Sequence, residues 1–135
     1  MHMQFELSVR GRVEIYNELS QKNVRFQRRM RAIVKNYGES TRGLVMFFSP
    51  VDTTFMQQHV KTWYSEDKLV FEVGWDVMDF VSAGKPFYPF FQEFGTVNHP
   101  AQPSLRPAFA DQSPLFSADV RRAAEDEWRR LGSPG

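Results

Sequence analysis

The chain contains no cysteine, which excludes disulfides, thiolate metal ligands and a cysteine nucleophile. No apolar run approaches the about 20 residues that a bilayer-spanning helix needs, so no membrane partner is expected. Neither charge sign prevails. Lys and Arg number 17 against 16 Asp and Glu, a net charge of +1, so the field of the whole molecule will not draw it to nucleic acid or membrane. Histidine is scarce too: His2, His59 and His99 are widely separated, with no helical His-x-x-x-His pair and no cysteines beside them. No glycine-rich phosphate loop follows a strand pattern, and no Gly-x-Ser-x-Gly elbow is present. Asp76 and Asp79 are lone acids after a strand pattern, suited to capping or to solvent. A hydrolase with a distributed carboxylate site therefore has no residue-level support, and the sequence predicts no enzyme, no cofactor and no bound metal. The opening Met1-His2-Met3-Gln4-Phe5-Glu6 lacks the charged start and apolar stretch of a secretory signal. A soluble protein of the cytoplasm is expected.

What the chain does have is apolar mass. It is 41% hydrophobic, with 13 Phe and 3 Trp in 135 residues, enough for one substantial core. A single domain over 1–131 and a frayed tail over 132–135 are expected. Met3, Phe5, Leu7 and Val9 alternate with polar residues, predicting a strand over 3–9 that Gly11 ends. Val13, Tyr16 and Leu19 follow at helical spacing. The strongest periodicity comes next: Phe26, Met30, Ile33, Val34, Tyr37, Thr41, Leu44, Val45 and Phe48 predict one long amphipathic helix over 24–48. Gly38 and Gly43 lie inside it at about 1 kcal/mol each, making a local bend plausible, and Pro50 stops it. A turn-rich connection over 49–58 leads to two alternating runs, 60–64 and 69–75. They are separated by Glu66, Asp67 and Lys68, the pattern of an antiparallel hairpin. The segment 76–87 reads as irregular or weakly helical. Ser113 and Pro114 suit an N-cap and first turn, predicting a last helix over 113–131 with Phe116, Val120, Ala124 and Trp128 buried. The fold class is α+β: an antiparallel sheet packed on a long amphipathic helix, with a C-terminal helix after a proline-rich arm.

That arm is the most restricted stretch of the chain. Tyr88, Phe90, Phe91 and Phe94 lead into Gly95 and Thr96, and Pro100, Pro103 and Pro107 follow. Each proline fixes φ, removes a donor and biases its predecessor toward extended geometry. Gly95 sits where a short helical turn wants a C-terminal cap. A short helix, a stiff arm and another helix starting near Leu105 are predicted. The arm is either a packed loop holding the C-terminal helix on its own core or a docking edge. Its aromatics, with Phe87, suit core or interface rather than a ligand box. Glu93 and Arg106 could pair across the arm, or act as a cap and a wet side chain.

Charge is also patterned. Lys22, Arg25, Arg28, Arg29, Arg31 and Lys35 form a run without an intervening acid, on two adjacent sides of the predicted helix. Such a face could contact DNA phosphates, meet acids of a neighbouring subunit, or simply be solvated. Glu125, Asp126 and Glu127 oppose it in sign, which would let one copy attract the next in a ring.

Two pieces of sequence carry a family resemblance. Pro50-Val51-Asp52-Thr53-Thr54-Phe55-Met56 is similar to a Pro-x-Asp-Thr-Gly-x-Leu turn, with Thr54 replacing glycine and Met56 replacing leucine. Glu93-Phe94-Gly95-Thr96 and then Pro103-Ser104-Leu105-Arg106-Pro107-Ala108 match Glu-Phe-Gly-Thr and Pro-Phe-Leu-Arg-Pro-Ala, with Ser104 replacing an apolar residue. In this order they resemble the small morphogenesis proteins of the neck of long-tailed double-stranded DNA phages, of the head–tail joining or tail-completion type. The resemblance implies a virion component, assembled in the host cytoplasm as a six-fold ring. The ring would sit between the head connector or stopper and the tail tube or terminator, with genomic DNA passing through. It places the subunit interface on Glu93, Phe94, Gly95, Thr96, Pro100, Pro103, Leu105, Arg106 and Pro107. A tail terminator, a minor tail protein, or a small nucleic-acid-binding regulator using residues 22–35 are the alternatives.

Overall fold

The computed structural model describes residues 10–14, 24–49 and 54–132. The strand predicted over 3–9, Tyr16, Leu19, Lys22, the turn residues 50–53 and the tail 133–135 lie outside the described residues. A three-stranded antiparallel sheet has the order β1-β3-β2, with β1 at Arg10–Glu14, β2 at Lys61–Tyr64 and β3 at Val70–Gly74. β3 is therefore central. Val13 stands opposite Phe71 in one ladder, and Thr62 opposite Val73 in the other. Gly11 does not end a strand, and Val13 does not begin a helix. Both are paired within β1, because β3 offers a row of ladder partners whose pairing outweighs the weak strand preference of glycine.

Helix α1 spans Val24–Phe48 and buries Phe26, Met30, Val34, Gly38, Thr41 and Val45. Steps of three or four residues keep these on one stripe. Helix α5 spans Leu105–Gly132 and lies antiparallel to α1. Arg29 meets Asp126 while Tyr37, further along α1, meets Asp119, earlier in α5. The Tyr37 hydroxyl donates to the Asp119 carboxylate, and burial together with that neighbour pushes its pKa up to about 12. Phe116 joins the layers, edge-on to Tyr37 at 5.3 Å and to Phe71 of β3 at 6.0 Å. Trp75 is fully buried and donates from Nε1 to the Met56 carbonyl at 2.9 Å.

Pro114 does not open a separate helix; it lies inside α5. Its missing N–H forfeits one intrahelical bond, a penalty of about 3 kcal/mol in a helix interior. The helix continues because Phe109 and Phe116, on either side, are both buried in one core. Pro114 and Ala110 are exposed, so the carbonyl that loses its partner is open to water. Trp128 is 69% exposed, against the buried position expected, because the buried stripe of α5 steps from Phe116 to Ala123 instead of continuing in strict fours. The connection over 49–58 contains a short helix, α2 at Thr54–Gln58. Thr54 starts it, so this position does not take the positive φ that glycine would permit. The 76–87 segment holds α3 at Val77–Ser82, capped by the Asp76 side chain accepting from Met78 N.

The two glycines of α1 behave differently. A Cβ at Gly38 would lie 2.7 Å from the Tyr64 hydroxyl, whereas one at Gly43 would meet nothing within 4 Å. Gly43→Ala should therefore stabilise the protein by about 1 kcal/mol, seen as a higher urea midpoint. A lower midpoint would mean that this stretch of helix needs the freedom of glycine.

Candidate functional site

The arm is built from α4, Pro89–Phe94, and the irregular chain leading into α5. Gly95 ends α4 at φ 79° and ψ 174°, its N–H bonded to the Phe91 carbonyl. That backbone region is nearly glycine-only. Thr96 N then donates to His99 O at 2.9 Å, and His99 N returns a bond to Thr96 Oγ1 at 3.1 Å. Gln102 N reaches back to Gln92 O at 2.7 Å. The arm thus folds against α4 through its own backbone.

Glu93 closes the structure. Its side chain is 1% exposed, and its carboxylate accepts from Ser104 N, Leu105 N and Arg106 N at 3.0, 2.9 and 3.1 Å. A helix leaves its first four N–H groups without intrahelical partners. Here three go to Glu93, and the fourth position is Pro107, which has no N–H at all. The first intrahelical bond follows, Ala108 N to Ser104 O. The carboxylate also faces the positive end of the α5 dipole. Arg106 completes the ring of contacts: its Nε donates to Glu93 Oε2 at 3.1 Å, and Nη2 donates to the Glu93 carbonyl. Both sequence options for this pair hold together, since Glu93 is at once cap and ion-pair partner.

The aromatics of the arm divide into two sets. Phe87 and Tyr88 pack edge-on against buried Phe80, with centroids at 5.1 and 5.3 Å. Phe90, Phe91 and Phe94 remain 49%, 53% and 43% exposed, and Val97 is fully exposed. Phe90 touches Phe94 at 5.0 Å and Phe91 at 5.9 Å, while the Arg106 guanidinium lies over Phe94 at 5.3 Å. Pro100 is exposed, and Pro103 and Pro107 are half-buried. An apolar ridge therefore stands on a support fixed by buried hydrogen bonds.

The basic run is less uniform than its sequence suggests. Arg25, Arg28, Arg29, Arg31 and Lys35 are all exposed on α1. Arg29 pairs with Asp126 of the same chain at 3.0 Å, and Arg31 Nε donates to the Asp67 carbonyl at 3.0 Å. Asp126 is thus already engaged within the subunit, and Glu127 pairs with Arg130 at 2.6 Å. Asp79 pairs with Lys61 at 2.7 Å. His59 stacks on Phe55 at 3.9 Å, its Nδ1 2.8 Å from the Phe55 carbonyl. Among the described residues no cluster of three or more His, Cys, Asp and Glu forms a metal-holding group, and no helix is long and apolar enough to cross a membrane.

Tyr64 and Lys68, which the sequence assigned only to the hairpin and to no site, join Arg31 and Lys35 around a cavity of about 400 Å³. Lys68 is in the β2–β3 turn and lies 33 positions after Lys35, so no helical or strand spacing connects them. No family model, curated protein or solved structure matches the chain.

Proposed function

We propose that this chain is a non-enzymatic structural protein of a phage neck, of the head–tail joining or tail-completion type. Copies form a ring, six-fold as in the family it resembles, between the head connector or stopper and the tail tube or terminator. The genome passes through the ring, and the mature protein resides in the virion. The observation that carries this reading is the exposed ridge of Phe90, Phe91 and Phe94 on an arm already fixed by Glu93. Aromatics are the residues that dominate interface energies, and an edge ordered before docking loses little entropy when it docks. A ring subunit must meet its neighbours through two different surfaces. The arm supplies one.

Particles assembled without this protein test the reading. Full heads beside finished but unattached tails are the expected product under negative stain, and intact infectious particles would end the assignment. A small DNA-binding regulator using the basic run of residues 22–35 would leave joining intact. It would favour its own site by about 10³-fold or more over other DNA.

A further inference from the structure

The cavity beside α1 combines features that the fold itself does not require. Arg31 and Lys35 are one helical turn apart, and the β2–β3 turn is latched against them. Arg31 Nε holds the Asp67 carbonyl at 3.0 Å. The Tyr64 hydroxyl lies 3.3 Å from the Lys35 carbonyl and donates to Glu39 at 3.0 Å. Its described walls are Arg31, Ala32, Lys35, Tyr64 and Lys68, so among the described residues three cations line it and no carboxylate does. Three acids on the same helix and turn make other contacts. Asp67 accepts from Ser65 Oγ and from Leu69 N, bonds that hold its carboxyl below the usual range with the Arg31 charge adding to them. Glu39 takes the Tyr64 hydroxyl and stands 3.7 Å from Arg42. Glu66 and Asp67 line a separate hollow with Ser65 and Val70. Among the described residues, neither Lys35 nor Lys68 is in an ion pair.

Lys68 adds an independent observation. Its φ of 63° makes it the only non-glycine residue in the left-handed region among those described. Glycine would fit this turn without strain. The sequence instead keeps a cation there, beside two others that repel it. The like-charge repulsion is relieved by an anion shared among the three.

We propose that this cavity binds the phosphodiester backbone of nucleic acid without regard to sequence. A guanidinium and two ammonium groups match the charge and donor chemistry of phosphate oxygens, and the Tyr64 ring offers a face to the adjoining sugar or base. The site belongs to the isolated subunit, so its existence does not depend on the ring. The neck reading is decided separately, by the particle phenotype.

The experiment is a fluorescence-anisotropy titration of the whole chain with labelled duplex DNA of random sequence, between about 50 and about 200 mM salt. Lys35→Glu combined with Lys68→Glu should weaken binding at least about tenfold and flatten the salt slope by about 2. Arg25→Glu combined with Arg28→Glu, on α1 outside the cavity, should have the smaller effect. Lys68→Gly should weaken binding several-fold while raising Tm, because it relaxes the turn; loss of binding through misfolding would lower Tm instead. The proposal fails if the native chain does not bind DNA at low salt, or if the Arg25/Arg28 variant loses as much as the Lys35/Lys68 one. It also fails if poly-glutamate displaces the DNA as well as DNA does, which would assign the cavity to an acidic protein surface.

Discussion

Glu93→Ala should unfold or nearly unfold the arm and cost about 3–5 kcal/mol, the range for breaking a buried charged pair. The substitution removes one carboxylate but strands several donors: the amides of Ser104, Leu105 and Arg106, and the Arg106 Nε. Each buried donor left without a partner carries a desolvation penalty of about 1–3 kcal/mol, tempered here because water can reach the amides once the side chain is gone. Against a typical total of about 5–15 kcal/mol, that is a large share of the stability. Thermal unfolding should show a midpoint lower by roughly 10 °C or more. Glu93→Gln keeps an oxygen acceptor and should lose about half as much. Arg106→Ala should cost only about 1 kcal/mol, since its guanidinium is half exposed and the amides keep Glu93. If Glu93→Ala proves no worse than Arg106→Ala, the carboxylate is not what organises the start of α5.

Gly95→Ala is the second large effect. At φ 79° and ψ 174° an alanine is strained by about 1–3 kcal/mol from the backbone alone. Its Cβ would also lie 2.8 Å from Ala101 N and 3.1 Å from His99 O. Both are backbone atoms, and neither can swing aside as the end of a side chain could. The arm must therefore open or α4 must shift, for a total of about 3 kcal/mol. Urea unfolding measures it. A change within about 0.5 kcal/mol, the usual range for a surface position, would mean that the arm does not hold this path. The two substitutions act on one assembly, since Glu93 and Gly95 are two positions apart, so their effects should not add.

Regular periodicity made much of the fold legible. The bounds of α1 follow from its apolar stripe because every buried position sits on it. The β2–β3 hairpin follows from two alternating runs with polar residues between. Gly95 was readable as a cap because few residues tolerate its conformation. The failures share a different cause. β1 crosses Gly11 because a distant strand pairs with it, and the local sequence does not contain that partner. Pro114 signals a helix start, yet long-range packing of Phe109 and Phe116 carries the helix through it. Trp128 fell outside the core through a one-residue drift in the stripe. The role of Glu93 was half visible. Its pairing with Arg106 could be suspected, but capping a helix from eleven residues upstream uses no local pattern. The cavity at Lys68 was not legible at all, because only the register of the hairpin brings the turn to α1.

The antiparallel pairing of α1 with α5 also governs what happens during synthesis. Their contacts join residues up to 97 positions apart, and at about 5–20 residues per second of translation α1 waits roughly 5 to 20 seconds for its partner. Throughout that interval Phe26 and Met30 lack the cover that Ala123 gives them from the α5 side. The nascent chain thus carries a helix whose apolar stripe is only partly covered until the last quarter of the polypeptide has been made.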